Sequence, residues 1–558
     1  MAKKNRLIYM ALGGAGEIGM NTYLYGYGPE GRERFILVDI GVTFPDMDSA
    51  PGVDLIMADI AWLAERRDRI DAIFITHAHE DHVGALGLLH GALQAPVYAR
   101  PFTAAIARLK LEERGQDSSV VTEVGPFPVV TEVGPFKVSY LPISHSIPES
   151  AGLVIDTPTG RVVHTGDFKL DQSPLVGEAF DPALWQEVAR PGVKALVCDS
   201  TNVFSPNAGR SEATLIEPIT ALIASAEGMV VATTFASNVA RLKTLAEAGR
   251  AAGRSILVLG RAMQKMIAVS QQTGVLADFP ATVTPDEAGD LPRGDLMVLV
   301  TGSQGERRAG SAQLANGKYN GLVLQSGDMF LFSSKTIPGN EVSVTRIANR
   351  FSELGVDVVD DQMGHFHVSG HANRPDLERM HTLVQPQILI PMHGEHRHLR
   401  EHARLGEARG IASVVAPNGA MVDLSGNRPK IVEQIETGRT YLDGNVMISA
   451  MDGIVRDRIR MALNGHVAVG IVIDEDDEPL GGAWVETHGL PDPAGADHTL
   501  ADLMEEGIEY QLSRATNKML MSDEALEEVI RRAVRKIGQE IVGKKPEVRV
   551  MISRLVGA

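Results

Sequence analysis

The stretch ITHAHEDHVG, residues 75–84, holds the densest group of chemically active side chains in the sequence. An apolar run predicted to be a β-strand, DAIFIT, ends directly in His77, His79, Asp81 and His82. Histidines two residues apart at a strand end point the same way, and imidazole and carboxylate ligands without sulfur suit zinc in an open catalytic site, or manganese. The alternative is a solvated polar loop. The density of H-x-H-x-D-H favours a catalytic metal centre.

The elements that must position these ligands alternate along the chain. From Leu7 to about Asp199, short β-like runs alternate with helical segments, which is typical of a layered α/β domain. A second alternation between about Ser211 and Glu341 indicates a parallel sheet. Because polar motifs resume only at residues 361–398, the second unit is predicted to be inserted into the first. A small C-terminal α/β unit follows, with a helix that Ser522 caps and Gly543 ends.

A glycine-rich stretch near the N-terminus suggests a different function. Gly14, Gly16 and Gly19 match G-x-G-x-x-G, and Asp39 stands where the acidic companion of a dinucleotide-binding fingerprint is expected. That fingerprint works only if the glycine turn opens a helix whose amides hold a pyrophosphate. Residues 21–28 instead read NTYLYGYG, which is typical of a strand. We therefore predict a strand-to-strand connection here.

Composition limits the class of protein. The 558 residues are 44% hydrophobic and 22% charged, which indicates a soluble globular protein of roughly three or four domains. The single cysteine, Cys198, excludes an internal disulfide and a cysteine-based metal cluster. A formal net charge of −18 argues against nonspecific adhesion to nucleic acid or lipid. It still allows a nucleic-acid enzyme whose positively charged side chains are confined to one groove. Without a long apolar run, a cytoplasmic protein with no membrane association is expected.

The metal-binding stretch resembles the metallo-β-lactamase superfamily, and the resemblance continues along the chain. It implies an αββα sandwich in which Asp39 orients ligands, while His145 in PISHSIPES, Asp167 in HTGDFK and His393 in PMHGEH supply the remaining donors. The resemblance implies two metal ions. One would take His77, His79 and His145, the other Asp81, His82 and His393, with Asp167 shared.

Further motifs resemble the β-CASP group of nucleases, in which a second α/β domain is inserted. Asp199 in CDSTN fits its motif A, His367 in HVSGH motif B and His393 motif C. The stretches LGGAGEIGMN, TFASNVAR, TGSQGE, HVSGHA and PMHGE resemble the bacterial ribonuclease J family across essentially the whole chain. The implied domains are a metallo-β-lactamase domain at 1–210 and 346–426, a β-CASP insertion at 211–345, a linker at 427–450 and a C-terminal dimerisation domain at 451–558.

This resemblance implies a metal-dependent ribonuclease that acts on single-stranded RNA in RNA maturation and mRNA decay. It would act as a 5′-to-3′ exonuclease that prefers a 5′-monophosphate, and as an endonuclease. Two zinc ions, or manganese, would activate a hydroxide for in-line attack. His367 is expected to protonate the leaving 3′-oxygen, with Asp199 orienting the acid and Asp81 the hydroxide.

Two further sites are expected. A seat for a 5′-monophosphate is predicted at the turn of TFASNVAR and in the loop HVSGH, that is at Ala236, Ser237, Asn238, His367, Val368, Ser369, Gly370 and His371. The alternative is that Ser237 and Asn238 only cap a helix. The family resemblance also implies a calcium-like site at Gly52, Asp54 and Asp443, and simple solvation of these acids is the alternative.

Two other functions stay open from the sequence. One is a small-molecule hydrolase of the same fold, acting on a thioester, lactone or β-lactam. The other is a noncatalytic RNA-binding or assembly subunit. The strands of the C-terminal unit leave edges that need cover, so a homodimer or a tetramer is expected, and membership of an RNA-degradation complex is a further expectation.

Overall fold

The computed structural model describes residues 4–337, 339–495 and 497–555, and it divides into two compact units. The larger unit comprises the residues up to Thr43 together with Ile56–Thr440. The smaller unit comprises Phe44–Leu55 and the chain from Tyr441 onward. The larger unit holds all seven ligands predicted for the two zinc ions, and the smaller unit holds Gly52, Asp54 and Asp443 of the predicted calcium-like site.

An eight-stranded mixed sheet forms the first layer of the larger unit. The glycine-rich stretch connects its first two long strands, which are antiparallel, so the predicted strand-to-strand connection is confirmed. Gly14, Gly16 and Gly19 all adopt positive φ in this connection. In spatial order the strands are Lys430–Gln434, Ala420–Asp423, Asn5–Gly13, Thr22–Pro29, Arg34–Val38, Ile70–Phe74, Val97–Ala99 and Val121–Glu123.

A seven-stranded sheet forms the second layer. Its strands in spatial order are Thr131–Val133, Phe136–Pro142, Ala151–Thr157, Gly160–His164, Ala195–Asp199, Ile388–Met392 and Ala412–Ser413. The last four of these strands run parallel to one another. Two short strand pairs lie outside the two layers, namely Ala15–Gly16 with Gly394–Glu395, and Val42–Thr43 with residues 56–57 of Leu55–Ala58.

The two sheets pack face to face, and helices cover their outer faces. One buried cluster joins side chains of both sheets, among them Tyr9 and Tyr25 from the first and Val138 and Ile390 from the second. On the outer side of the second sheet, Trp185 and Leu377 pack against strand residues such as Leu196. The α-helices of these layers are Ala61–Ala64, Glu80–Val83, Leu86–Leu93, Pro101–Glu112, Pro182–Ala189, Arg374–Val384 and His396–Glu407, with 3-10 turns at Arg67–Arg69 and Ser118–Val120.

The inserted region is built on a five-stranded parallel sheet. The strands in spatial order are Ser255–Leu259, Leu296–Val300, Val230–Thr233, Met329–Phe332 and Asp357–Val359. The sheet therefore extends past residue 345, because its last strand pairs with Met329–Phe332. Its helices are Ile216–Ser225, Val239–Ala251, Arg261–Gln272, Pro285–Gly289, Gly310–Ala315 and Glu341–Glu353, with 3-10 turns at Glu212–Leu215 and Arg293–Asp295.

The smaller unit contains a three-stranded sheet with helices on one face. Its strands in spatial order are Trp484–His488, His466–Ile473 and Glu547–Arg554. Its helices are Ile454–Asn464, Leu500–Leu512, Asn517–Leu520 and Asp523–Val542, with a 3-10 turn at Ala450–Asp452. The last helix has the predicted ends, since Ser522 Oγ accepts from the Ala525 amide and Gly543 is left-handed. Two further strands, Arg439–Asp443 and Val446–Ser449, lie within the predicted linker.

The fold class expected from the sequence is confirmed. Two packed sheets with outer helices form the predicted αββα sandwich, a second α/β region is inserted, and a small α/β unit follows. Among the helices that the structure describes, none is long and apolar enough to cross a membrane.

Candidate metal centre

The predicted metal ligands meet at one edge of the sandwich because strands of both sheets end there. His77 follows the strand Ile70–Phe74, and the short helix Glu80–Val83 begins directly after His79. In the second sheet, parallel strands end just before Asp167, at Asp199 and just before His393. Parallel strands bring their carboxyl ends to the same edge, which is where α/β proteins usually hold ligands.

Three imidazole nitrogens form the first donor group. Nε2 of His77 and Nε2 of His145 each lie 3.1 Å from Nδ1 of His79. The second ring nitrogen of His145, Nδ1, lies 2.6 Å from the carbonyl oxygen of Gly370 and therefore donates to it. That hydrogen bond leaves the lone pair on Nε2 of His145 directed to the group, as in metal-binding histidines.

The second donor group combines two imidazoles with two carboxylates. Oδ2 of Asp167 lies 3.1 Å from Nε2 of His82 and 3.4 Å from Nε2 of His393. Oδ2 of Asp81 lies 3.6 Å and 3.7 Å from the same two nitrogens. Oδ2 of Asp167 is also 3.9 Å from Nε2 of His77 and of His145, so this oxygen lies between the two groups.

Two buried residues orient these ligands from behind. Oδ2 of Asp39 lies 2.7 Å from Nδ1 of His82, and the same carboxylate accepts from the amide and the hydroxyl of Thr76. Oδ1 of Asn21 accepts from Nδ1 of His393 at 2.7 Å. The place of Asp39 agrees with its expected orienting role. Sequence reasoning missed Asn21, although it ends LGGAGEIGMN, one of the stretches that resemble the ribonuclease J family.

Burial and neighbouring charges shift the pKa values of the ligands in different directions. Burial lowers the pKa of His77 and of His145 well below the usual range, and lowers the pKa of His79 to about 4. Burial acts to raise the pKa of Asp167, but the charges of His393 and His82 outweigh it and lower that pKa. Burial acts to lower the pKa of His82 as well, but the carboxylates of Asp167 and Asp81 outweigh it and raise that pKa well above the usual range. Divalent metals bind neutral imidazoles and ionised carboxylates, so a metal in the second group would displace the proton of His82.

The donor set therefore fits two divalent ions. Oδ1 of Asp167 is buried and has no hydrogen-bond partner within the described ranges, which leaves this oxygen available to an ion. Five imidazoles and two carboxylates without sulfur favour zinc, with manganese as the alternative. The groups are His77, His79 and His145, and Asp81, His82, Asp167 and His393. A third set of donor atoms within the same reach, that of His145, Asp167 and His371, shares two residues with these groups.

Next to these groups, His371 pairs with Asp199. Nδ1 of His371 lies 2.8 Å from Oδ2 of Asp199 and 4.0 Å from Oδ2 of Asp167. Burial acts to lower the pKa of His371, but the Asp199 carboxylate outweighs it and raises that pKa to about 9. Oδ1 of Asp199 accepts from the amide and hydroxyl of Thr201, so the carboxylate is held in place.

His367, the histidine expected beside Asp199, has a different environment. Its Nδ1 lies 3.1 Å from Nη1 of Arg241, a residue of the inserted region. Burial, followed by the charge of Arg241, lowers the pKa of His367 well below the usual range. The structure thus brings His371 rather than His367 to Asp199. Both candidates stand in the sequence HVSGH, and only three-dimensional contacts separate them.

The residues expected to bind the substrate fall into two segments of the larger unit. Oδ1 of Asn238 accepts from the Arg241 amide, so Asn238 caps the helix Val239–Ala251, and Ala236 and Ser237 lie in the turn before it. In the loop after Val368, Ser369 accepts from Nδ2 of Asn202 at 2.8 Å. Gly370 contacts the metal ligand His145 through its carbonyl group.

The guanidinium group of Arg458 lies next to the residues of the expected calcium-like site in the smaller unit. Nη2 of Arg458 bonds to Oδ2 of Asp443 at 2.5 Å, and Gly52 lies beside the same guanidinium. Oδ2 of Asp54 accepts from the Gly444 amide at 2.8 Å. A cation at this place would have to displace Arg458 from Asp443.

The fold and the site together define a metallo-β-lactamase-type hydrolase with an inserted domain, and family models agree. The model of the metallo-beta-lactamase superfamily matches residues 16–198, and that of the Zn-dependent metallo-hydrolase RNA specificity domain matches 345–417. The models of the ribonuclease J beta-CASP domain and of the ribonuclease J C-terminal domain match residues 227–351 and 453–555.

Relatives extend this match over the whole chain. Ribonuclease J of Sinorhizobium meliloti is 42% identical over 568 residues, which cover 100% of this chain and 98% of that protein. Ribonuclease J 1 of Streptococcus pyogenes is 35% identical over 85% of this chain and 84% of that protein. Ribonuclease J of Mycolicibacterium smegmatis is 34% identical over 89% of each. The chain belongs to the ribonuclease J family of metal-dependent ribonucleases.

Proposed function

We propose that the protein degrades single-stranded RNA stepwise from a 5′ end that carries one phosphate, and also cleaves it internally. The observation that carries this proposal is the pair of donor groups that meet at Asp167, with the Asp199–His371 pair directly beside them. Such an activity would serve RNA maturation and mRNA decay.

In this proposal the chain's own residues bind two zinc ions and donate a proton. His77, His79 and His145 would hold one ion, Asp81, His82 and His393 the other, and Asp167 both. When bound, two such ions lower the pKa of a water molecule and stabilise charge on the phosphoryl oxygens. Asp81, whose side chain is 29% exposed, would orient the attacking water.

The leaving 3′-oxygen needs a proton, and we assign its donor to His371 rather than His367. His371 pairs with a carboxylate, which favours its protonated form, and it lies 4.0 Å from the shared ligand Asp167. Asp199 would hold the ring in place. His367, which accepts through Nδ1 from Arg241, would serve substrate binding instead.

The 5′ end is expected to decide the mode of cleavage. RNA with a 5′-monophosphate should be degraded to mononucleotides, whereas 5′-triphosphate RNA should resist stepwise degradation and still be cut internally, because the seat admits one phosphate. Digestion of end-labelled RNAs that differ only in the 5′ end measures this. The double variant Ser237→Ala, Asn238→Ala should reduce the difference in stepwise degradation rate between the 5′-monophosphate RNA and the 5′-triphosphate RNA.

Loss of the Asn238 cap also weakens a helix by about 1 kcal/mol, so a control is needed. Ser522→Ala removes a comparable cap in the smaller unit and should leave the discrimination unchanged. Equal stepwise rates on both RNAs by the unmodified protein would exclude the phosphate seat and leave a nuclease without end preference.

We further propose a homodimer formed through the smaller unit. The helices cover one face of its sheet, through residues such as Val469 and Val550, while the other face carries exposed apolar side chains. Trp484, Gly470 and Met551 are paired neighbours in one row across that face, and Trp484 lies over Gly470. Half-exposed Trp and Met side chains in one row favour burial against a second copy.

Met551→Arg is expected to convert the dimer to a monomer, because it places a charge in this apolar row, next to Gly470. Sedimentation velocity measures the change, and Met521→Arg, at another exposed methionine of the same unit, should leave the dimer intact. Removal of the chain after Gly444 should likewise give a monomer with poor activity. A truncated protein that still sediments as a dimer would place the interface elsewhere.

A hard-cation site at Gly52, Asp54 and Asp443 is proposed from the family resemblance alone. The two carboxylates and the glycine carbonyl are ligands that calcium prefers. Binding there requires Arg458 to leave Asp443.

A further inference from the structure

Arg241 is a fully buried arginine at the junction between the inserted region and the loop that carries His367 and His371. It belongs to the helix Val239–Ala251, and its side chain is 0% exposed. Its Nε and Nη2 bond to the two carboxylate oxygens of Glu212. This bidentate pair balances the buried charge.

The remaining hydrogen bonds of the guanidinium join two other segments. Nη1 donates to the carbonyl oxygen of Ser333 at 2.7 Å, at the end of the strand Met329–Phe332. The same Nη1 lies 3.1 Å from Nδ1 of His367, and Nη2 lies 3.3 Å from the carbonyl oxygen of Val368. Ser333 itself donates through Oγ to the carbonyl oxygen of Phe366 at 2.7 Å. One side chain thus ties the inserted sheet to the start of the loop.

The contact with His367 determines which ring nitrogen carries the proton. A guanidinium has five N–H donors and no acceptor, so Nδ1 of His367 accepts in this contact. The carbonyl group of Ser333 is also within reach of the ring, but it already accepts from the same Nη1. A neutral imidazole carries its single proton on the other nitrogen. His367 therefore offers an Nε2–H donor, and its half-buried ring keeps one fixed orientation.

The far end of the loop is held separately by the metallo-β-lactamase part. Nδ2 of Asn202 donates to Oγ of Ser369, and Asp199 bonds His371. Arg241 thus fixes the residues that precede Ser369, while other residues fix His371. Removal of Arg241 should therefore alter His367 more than the proton donor.

We propose that Arg241 is a positioning residue for RNA binding, which holds His367 as the Nε2–H tautomer so that this nitrogen donates to a phosphate of the substrate. The inference deepens the proposed function and rests on His367 belonging to the substrate site. It assigns the inserted region a direct part in that site, through a side chain that does not itself contact RNA.

The test compares kinetics on 5′-monophosphate RNA. Arg241→Met combined with Glu212→Gln removes both charges together, because Arg241→Met alone would leave a buried carboxylate unpaired. We expect KM to rise roughly tenfold, the equivalent of one hydrogen bond to a charged group, while kcat changes little. Arg241→Lys, which keeps the charge but loses the forked geometry, should show a rise in KM as well.

A matched control is Arg254→Met. Arg254 is also buried in the inserted region, but its hydrogen bonds within the described ranges all go to backbone carbonyl groups, such as those of Gly228 and Ala226, at the opposite edge of the parallel sheet. Its loss should lower thermal stability and leave KM unchanged. An equal rise in KM in this control would reduce Arg241 to a structural role and overturn the proposal.

The tautomer is measured without RNA, by NMR of protein labelled with ¹⁵N-histidine, with His367→Gln to identify the resonances. In the unmodified protein Nε2 of His367 should be protonated and Nδ1 not, and the double variant should lose this preference. Protonation at Nδ1 in the unmodified protein, or an unchanged KM in the folded double variant, overturns the proposal. Absence of any 5′-end preference with the Nε2–H tautomer present would instead refute the proposed function of the site.

Discussion

Replacement of Asp167 by alanine is expected to abolish RNA cleavage and to release bound divalent metal. Oδ2 of Asp167 lies within 4 Å of four ligand nitrogens, so its loss removes an oxygen that both donor groups share. Metal ions supply several kcal/mol of transition-state stabilisation, so the rate should fall by at least about 10³-fold. Metal content by plasma emission spectroscopy and turnover of labelled RNA measure the two effects.

The fold should survive this substitution, since the core between the two sheets is built from apolar side chains that Asp167 does not join. Asp156→Ala is the matched control. Asp156 lies in the strand Ala151–Thr157 of the second sheet, and it pairs with Arg161 away from the ligands. It should keep both metal and activity. A folded Asp167→Ala protein with normal metal content and normal turnover would remove this residue from the metal centre.

Replacement of His371 by alanine is expected to slow cleavage by about 10²–10⁴-fold, which is the usual contribution of a general acid. His371 is the histidine that bonds Asp199, and it stands beside the shared ligand Asp167. Single-turnover rates on labelled RNA measure the chemical step, and metal analysis should show that both ions remain bound. Asp199→Asn should also slow this step, because it weakens the partner that holds the ring.

His367→Ala provides the comparison, since it lies four residues away in the same loop. It should weaken binding of RNA more than the single-turnover rate at saturation. The assignment reverses if His367→Ala loses the chemical step and His371→Ala retains it. Equal, small losses in both would exclude either histidine as the proton donor.

The proximity of the residues in the candidate metal centre could be predicted from the sequence, because these residues follow strands in local motifs. His77, His79, Asp81 and His82 lie within six residues, so their proximity needs no knowledge of the tertiary fold. The parallel strands then explain why the distant residues Asp167, Asp199 and His393 reach the same edge. The two donor groups have the composition that the family resemblance implied.

Other features of the candidate sites could not be predicted from the sequence, because they depend on contacts between segments far apart in the chain. The sequence offers two histidines in HVSGH, and only the hydrogen bonds of Asp199 and Arg241 distinguish them. Asn21 contacts a ligand 372 positions away, which no local pattern predicts. Likewise, no spacing rule predicts that Asp443 pairs with Arg458 rather than with a bound cation.

The long strand at the start of the chain has neighbours from both ends of the larger unit. Asn5–Gly13 pairs on one side with Thr22–Pro29 and on the other with Ala420–Asp423, where Ile8 stands opposite Asp423. During synthesis the first sheet therefore lacks this strand until the ribosome has passed residue 423, and it is complete only after Lys430–Gln434 has followed. The inserted sheet is contiguous between residues 230 and 359, so all its strands emerge earlier than this closing strand. The inserted sheet therefore has all its strands before the first sheet does, although the first sheet contains the start of the chain. The candidate metal centre, which needs His393, is among the last parts of the larger unit to be assembled.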